Sequence, residues 1–149
     1  VAGTKKLALV LTAAALAGCA APLPVARVTE MPPAQPRSLQ MLDGYKKLVA
    51  RRIVQVHPYT YSEPMPEIMK SIVVLDITID RLGRPVGVLV HRSNGYRQLE
   101  QRALESVVRA GPFAPPEPDL LEGDAVSFLE TFLFRQDDFF QVRSLVGGY

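Results

Sequence analysis

Cysteine is nearly missing from this chain: Cys19 is the only one in 149 residues. No internal disulfide can form, whatever the redox state of the compartment. There is no tryptophan, and His57 and His91 are the only histidines. With two separated histidines, a lone thiol and no clustered carboxylates, no zinc site is expected. A Gly-rich phosphate loop and a Ser elbow are both lacking. His91 and Asp76 share a hairpin but read as an ordinary surface pair on a sheet. The chain is therefore expected to be no enzyme and to need no cofactor or metal. Excess charge is lacking too. Lys5 and Lys6 account for the whole formal net charge of +2, so the chain after residue 18 is neutral. Nucleic acid is not an expected partner of a neutral chain.

What is present begins at the N-terminus. Lys5 and Lys6 precede an apolar run from Leu7 to Ala17, broken only by Thr12. That run is shorter than the roughly 20 residues a membrane-spanning helix needs. It closes on Leu16-Ala17-Gly18-Cys19, with small residues before the thiol. The layout resembles a bacterial lipoprotein signal peptide. The resemblance implies removal of residues 1–18 and acylation of Cys19. Lasting attachment takes two acyl signals, and bacterial lipoproteins carry two or three chains. Ala20 follows the cysteine, where Asp would resemble an inner-membrane retention signal. The implied location is the cell envelope, on the periplasmic face of the outer membrane. Lipidated Cys19 and the Pro/Ala-rich residues up to 37 read as an anchor and an extended tether. Residues 20–37 reach at most about 60–65 Å.

A domain spanning residues 38–143 follows. Ser38 is the expected N-cap of an amphipathic helix over Leu39 to Gln55. Leu39, Leu42, Val49, Ile53 and Val56 share one face, while Lys46, Lys47, Arg51 and Arg52 lie on the other. Pro58, Pro64 and Pro66 then impose a loop that carries Tyr59, Tyr61 and Met65. Ser71 to Asp80 alternates, with Val73, Leu75, Ile77 and Ile79 facing a core. Turn residues through Gly83 lead to a returning strand over Pro85 to Arg92, which completes a hairpin. A second helix is expected from Tyr96 to Ala110, ended by Gly111 and Pro112. Ala125 to Arg135 alternates again, with Glu130 the odd member among Val126, Phe128, Phe132 and Phe134. Phe139 to Val142 is compatible with a short last strand, and residues 144–149 read as a flexible tail.

Four stretches in this order resemble the TonB/TolA C-terminal domain family. They are the hairpin Ile77-Thr78-Ile79-Asp80-Arg81-Leu82-Gly83-Arg84-Pro85-Val86, the break His91-Arg92-Ser93-Asn94-Gly95 before Leu99, Ala103 and Leu104, the loop Ala110-Gly111-Pro112-Phe113-Ala114-Pro115, and the leading helix from Tyr45 to Ile53. The element order predicts an α+β fold of helix-β-β-α-β type. Its sheet is expected to be antiparallel and three-stranded, in the order 2-1-3, with the helices on one face. The third strand then lies at an edge, unless Phe139–Val142 or a second copy covers it. Family relatives bind partners by adding a strand to such an edge, where main-chain bonds give affinity and alternate side chains give selectivity.

The expected function is that of a lipid-anchored adaptor capturing an extended segment of another envelope protein. The expected site is the edge strand with Val126, Phe128, Glu130, Phe132, Phe134 and Arg135, of which Glu130 and Arg135 supply polar selectivity. Edge pairing would also allow a homodimer. A permanent structural subunit of a secretion, pilus or efflux assembly is the alternative. A TonB-like accessory of energy transduction is a further one. It fits less well, because a lipid signal and a short tether replace the family's motor-coupled membrane helix and long spacer.

Overall fold

The computed structural model describes residues 36–62 and 64–146. The expected signal peptide, Cys19 and the tether up to residue 35 lie outside the described residues. The element order is α1 (Arg37–Val56), β1 (Ser71–Asp80), β2 (Pro85–Arg92), α2 (Arg97–Ala110), β3 (Ala125–Phe134) and β4 (Phe140–Val142). Short 3-10 turns span Pro118–Leu120 and Arg143–Leu145. No helix among the described residues is long and apolar enough to cross a membrane.

The fold is α+β, and the sheet is antiparallel with strand order β2-β1-β3-β4. The expected order 2-1-3 is present, and a fourth strand is added to it. β4 pairs with only the last three residues of β3, Phe132 to Phe134. It forms because Phe140 and Val142 both drop into the core, which fixes a strand too short to be stable alone.

β1 organises the core. Val73, Leu75, Ile77 and Ile79 are fully buried on one face, together with Val126, Phe128, Phe132 and Phe134 of β3. α1 covers that face with Tyr45, Val49, Ala50 and Ile53, and α2 with Leu99, Ala103, Val107 and Ala110. Tyr45 ties the layers together. Its ring meets Phe128 edge-on at 6.2 Å, and its hydroxyl donates to the Ala114 carbonyl at 2.9 Å. Burial, with a smaller push from Asp80, raises the Tyr45 pKa to about 12. On the opposite sheet face Ile72, Leu89 and Leu129 are exposed, while Val74 and Leu133 are buried.

The β1–β2 turn is held by Asp80. Its Oδ1 accepts the Leu82 and Arg84 N–H groups, each at 2.9 Å, and its Oδ2 accepts Arg84 Nε at 2.7 Å. Partial burial pushes its carboxyl up, but these bonds outweigh that and hold it below the usual range. Gly83 has φ +85°, and its carbonyl accepts the Phe113 N–H at 2.7 Å. The hairpin tip is thereby tied to the loop after α2.

Two expectations about boundaries are corrected. Pro36, not Ser38, is the N-cap of α1, since the fixed φ of proline suits a helix start without a side-chain cap. Residues 144–146 are not a flexible tail. Ser144 sits in the last 3-10 turn and donates its hydroxyl to Glu130 at 2.5 Å, while Leu145 packs against the core.

Candidate partner-binding edges

A strand edge binds another strand through outward N–H and C=O groups, so the question is which of these remain open. Asp124 and Phe134 offer their carbonyls toward β1, to the N–H groups of Arg81 and Lys70. Alternation then turns the backbone of Val126, Phe128, Glu130 and Phe132 toward β1 as well. The residues facing outward are Ala125, Ser127, Leu129, Thr131 and Leu133.

Most of that edge is occupied. Leu133 pairs with Gln141 of β4. The Thr131 N–H donates to Oε1 of Glu130 at 2.9 Å, and the Ala125 carbonyl accepts the Glu122 N–H at 2.8 Å. Among the described residues this leaves both outward groups open only at Ser127 and Leu129, too few for a strand of ordinary length. The outer side of β4 is closed as well. Tyr61 N–H donates to the Phe140 carbonyl and Phe140 N–H to the Tyr59 carbonyl, both at 3.1 Å. Residues 59–61 thus lie parallel beside β4.

The side chains expected at the site face elsewhere. Val126, Phe128, Phe132 and Phe134 form core, because the buried face of β3 carries them. Glu130 is 2% exposed, so it cannot select a partner from solvent. Burial raises its pKa, against the pull of the Ser144 hydroxyl, the Thr131 N–H and the Lys46 charge. Arg135 points its guanidinium at Asp137, with Nε–Oδ1 at 3.0 Å and Nη2–Oδ2 at 2.8 Å, and lies 4.7 Å from the Tyr61 ring centre. That bidentate hydrogen bond holds the Asp137 carboxyl below the usual range. Asp137 and Asp138 belong to the turn before β4, where Asp138 has φ +65° and binds Lys70 at 2.5 Å. His91 and Asp76 do not face each other, since Asp76 stands opposite Leu89.

The other edge differs. Among the described residues β2 has β1 as its sole neighbour in the sheet. Gly87 and Leu89 pair with Thr78 and Asp76, which face β2, so the backbone of Val88 and Val90 points away from the sheet. From Pro85 to Val90 there is no charged residue, and Val86, Leu89 and Val90 are 61%, 69% and 38% exposed. Natural edges of this kind are blunted by lysine, proline or a covering segment. Among the described residues the devices of this kind are Pro85 at the first position, the exposed Arg92 at the last, and the bulges near each end, so the stretch from Val86 to Val90 is left without one. The sequence signal for this edge is the uncharged run itself, which reads at first only as the second half of a hairpin.

A second feature is Gln141. It is 7% exposed, and its Nε2 has no hydrogen-bond acceptor. Its signal in the sequence is a lone amide inside the aromatic-aliphatic run Phe139–Val142. Among the described residues no cluster of His, Cys, Asp and Glu is arranged to hold a metal ion. Comparison of this chain with protein-family models, curated proteins and solved structures finds no match.

Proposed function

We propose that this chain is a lipid-anchored binding protein of the bacterial envelope that captures an extended segment of another envelope protein as an added strand. The TonB/TolA-like motifs and the lipoprotein-type segment ending at Cys19 support that class of function. The observation that carries the reading is the β2 edge, uncharged from Pro85 to Val90 and without a neighbour on its outer side among the described residues. The capture site therefore moves from β3 to β2. Main-chain bonds to Val88 and Val90 supply affinity, and the exposed Val86 and Leu89 meet alternate side chains of the guest.

The test replaces Val90, whose N–H points outward. Val90→Pro removes a donor from the incoming strand while sparing the β1–β2 ladder, and proline is tolerated at an edge in that orientation. Val90→Ala keeps the N–H. In cells carrying the full chain with a photo-crosslinker at position 89, wild type and Val90→Ala should capture the same envelope protein. Val90→Pro should lose it while the purified protein keeps its fold. Equal capture by all three would refute strand addition at β2. A product made only of two copies of this chain would replace the adaptor by a homodimer.

A further inference from the structure

From Gly44 to Val56 the helix α1 holds Lys46, Lys47, Arg51 and Arg52 and no acid. Its core side is taken by Tyr45, Val49, Ala50 and Ile53. Lys47, Leu48, Arg51 and Arg52 are all exposed. Spacings of three and four residues place Arg51 and Arg52 one turn beyond Leu48, and Lys47 is its chain neighbour. Leu48, 50% exposed, therefore sits among three cations. Among the described residues no carboxylate pairs with any of the three. Arg52 also donates its Nε to the Ala110 carbonyl at 3.2 Å.

The acids near α1 belong to its other half. Asp43 stands one turn before Lys47, and Asp119 and Glu122 lie by Ser38 and Leu39 in the first turn. At the C-terminal end the neighbouring charges are positive again, since Arg109 and Arg102 of α2 act on His57.

Two observations name the occupant of this face. A leucine set among cations matches a surface with negative charge outside and hydrocarbon beneath, which is an anionic phospholipid layer. The helix also begins directly after Pro36, where the tether from Cys19 ends. Residues 20–35 span at most about 53–58 Å, so a chain acylated at Cys19 holds this helix within that distance of a membrane.

We infer that the face formed by Lys47, Leu48, Arg51 and Arg52 docks on anionic phospholipid, with the cations at the headgroup phosphates and Leu48 at the edge of the acyl layer. The inference rests on the lipid-anchored reading of the N-terminus and is independent of strand capture at β2.

The experiment places the isotope-labelled full chain, purified from bacterial membranes, in nanodiscs that carry a gadolinium-chelate lipid. Discs of phosphatidylcholine alone are compared with discs that also hold phosphatidylglycerol. On the anionic discs the amide resonances of Lys47, Leu48 and Arg51 should broaden most, and on the zwitterionic discs they should stay sharp. Lys47→Gln combined with Arg51→Gln should lower the ratio of docked to undocked chain about thirtyfold, at about fivefold per cation. Lys47→Arg combined with Arg51→Lys should leave it unchanged. Salt near 1 M, where screening acts within about 3 Å, should undo the docking. Equal spectra on the two kinds of disc would overturn the inference and leave the lipid anchor standing. Docking of the double glutamine variant as strong as that of wild type would overturn it too. A chain that joins neither disc would overturn docking and anchor together.

Discussion

Phe140 should be the residue that closes one end of the sheet, and its truncation tests that directly. The side chain is fully buried, with ring centres 5.2 Å from Phe132, 5.5 Å from Phe134 and 5.0 Å from His57. Its backbone holds Tyr59 and Tyr61 through two bonds of 3.1 Å. Truncating a buried phenylalanine to alanine costs about 3–5 kcal/mol. Against the roughly 5–15 kcal/mol of a typical domain, that is a large share of the stability. β4 has only three residues, so it has little else to hold it. Urea unfolding of Phe140→Ala should show a loss of that size. Native-state amide exchange should show Tyr61, Phe140 and Gln141 opening well below the global unfolding free energy, while Leu75 and Ile77 open with it. A loss under about 1 kcal/mol would mean that the ring is not packed as described. Exchange that rises equally in β4 and β1 would mean that Phe140 does not secure β4 in particular.

Glu130 should give the protein a distinctive pH dependence. Burial raises its folded pKa above the ordinary 4.5, so the native state keeps a proton that the unfolded chain releases. Its contribution is thus fully present below that ordinary value and is lost as pH rises through the folded pKa. Glu130→Gln should remove this part of the decline in a series of melting curves, and parallel profiles for the two proteins would contradict it. Gly83 and Gly95 both have positive φ, at +85° and +91°, but a Cβ at Gly83 would lie 2.1 Å from the Phe113 carbonyl oxygen while one at Gly95 meets nothing within 4 Å. Gly95→Ala should therefore cost only the backbone strain, about 1–2 kcal/mol. Gly83→Ala should cost clearly more by chemical denaturation, and equal losses would deny the close approach.

The parts of the fold legible in the sequence are those written by periodicity. Val73, Leu75, Ile77 and Ile79 recur at every second position and all face the core, and the strand they define runs from Ser71 to Asp80 as expected. The same holds for β2, and both helices fall within two residues of their expected ends. β4 was harder to read because three residues carry almost no period, and Phe140 could equally have packed from a turn. The last 3-10 turn was illegible because its anchor, Ser144, acts through Glu130, fourteen residues earlier in the chain. Glu130 misled for a related reason. A carboxylate on the apolar face of an alternating strand looks like a group meant for solvent or a partner. Its actual partners are its own neighbour's N–H and a serine, which no local pattern reveals.

The two ends of the sheet are treated so differently that the difference itself bears on function. At the β3 end, β4 covers three residues, the Tyr59–Tyr61 segment covers β4, Glu122 occupies the Ala125 carbonyl and Glu130 occupies the Thr131 N–H. The last of these requires burying a carboxyl group, which costs stability whenever that group is ionised. An open apolar strand is a hazard for unintended pairing at either end of a sheet. Protection against that hazard alone would call for guards on both. Yet β2, with its exposed Val86, Leu89 and Val90, carries no lysine, no inward charge and no covering segment among the described residues. A chain that spends a buried glutamate on one edge and guards the other only at its two ends is best explained by a use for the stretch from Val86 to Val90. The added strand proposed for β2 would be such a use, and it would put the binding surface on the hairpin rather than on the strand whose sequence first drew notice.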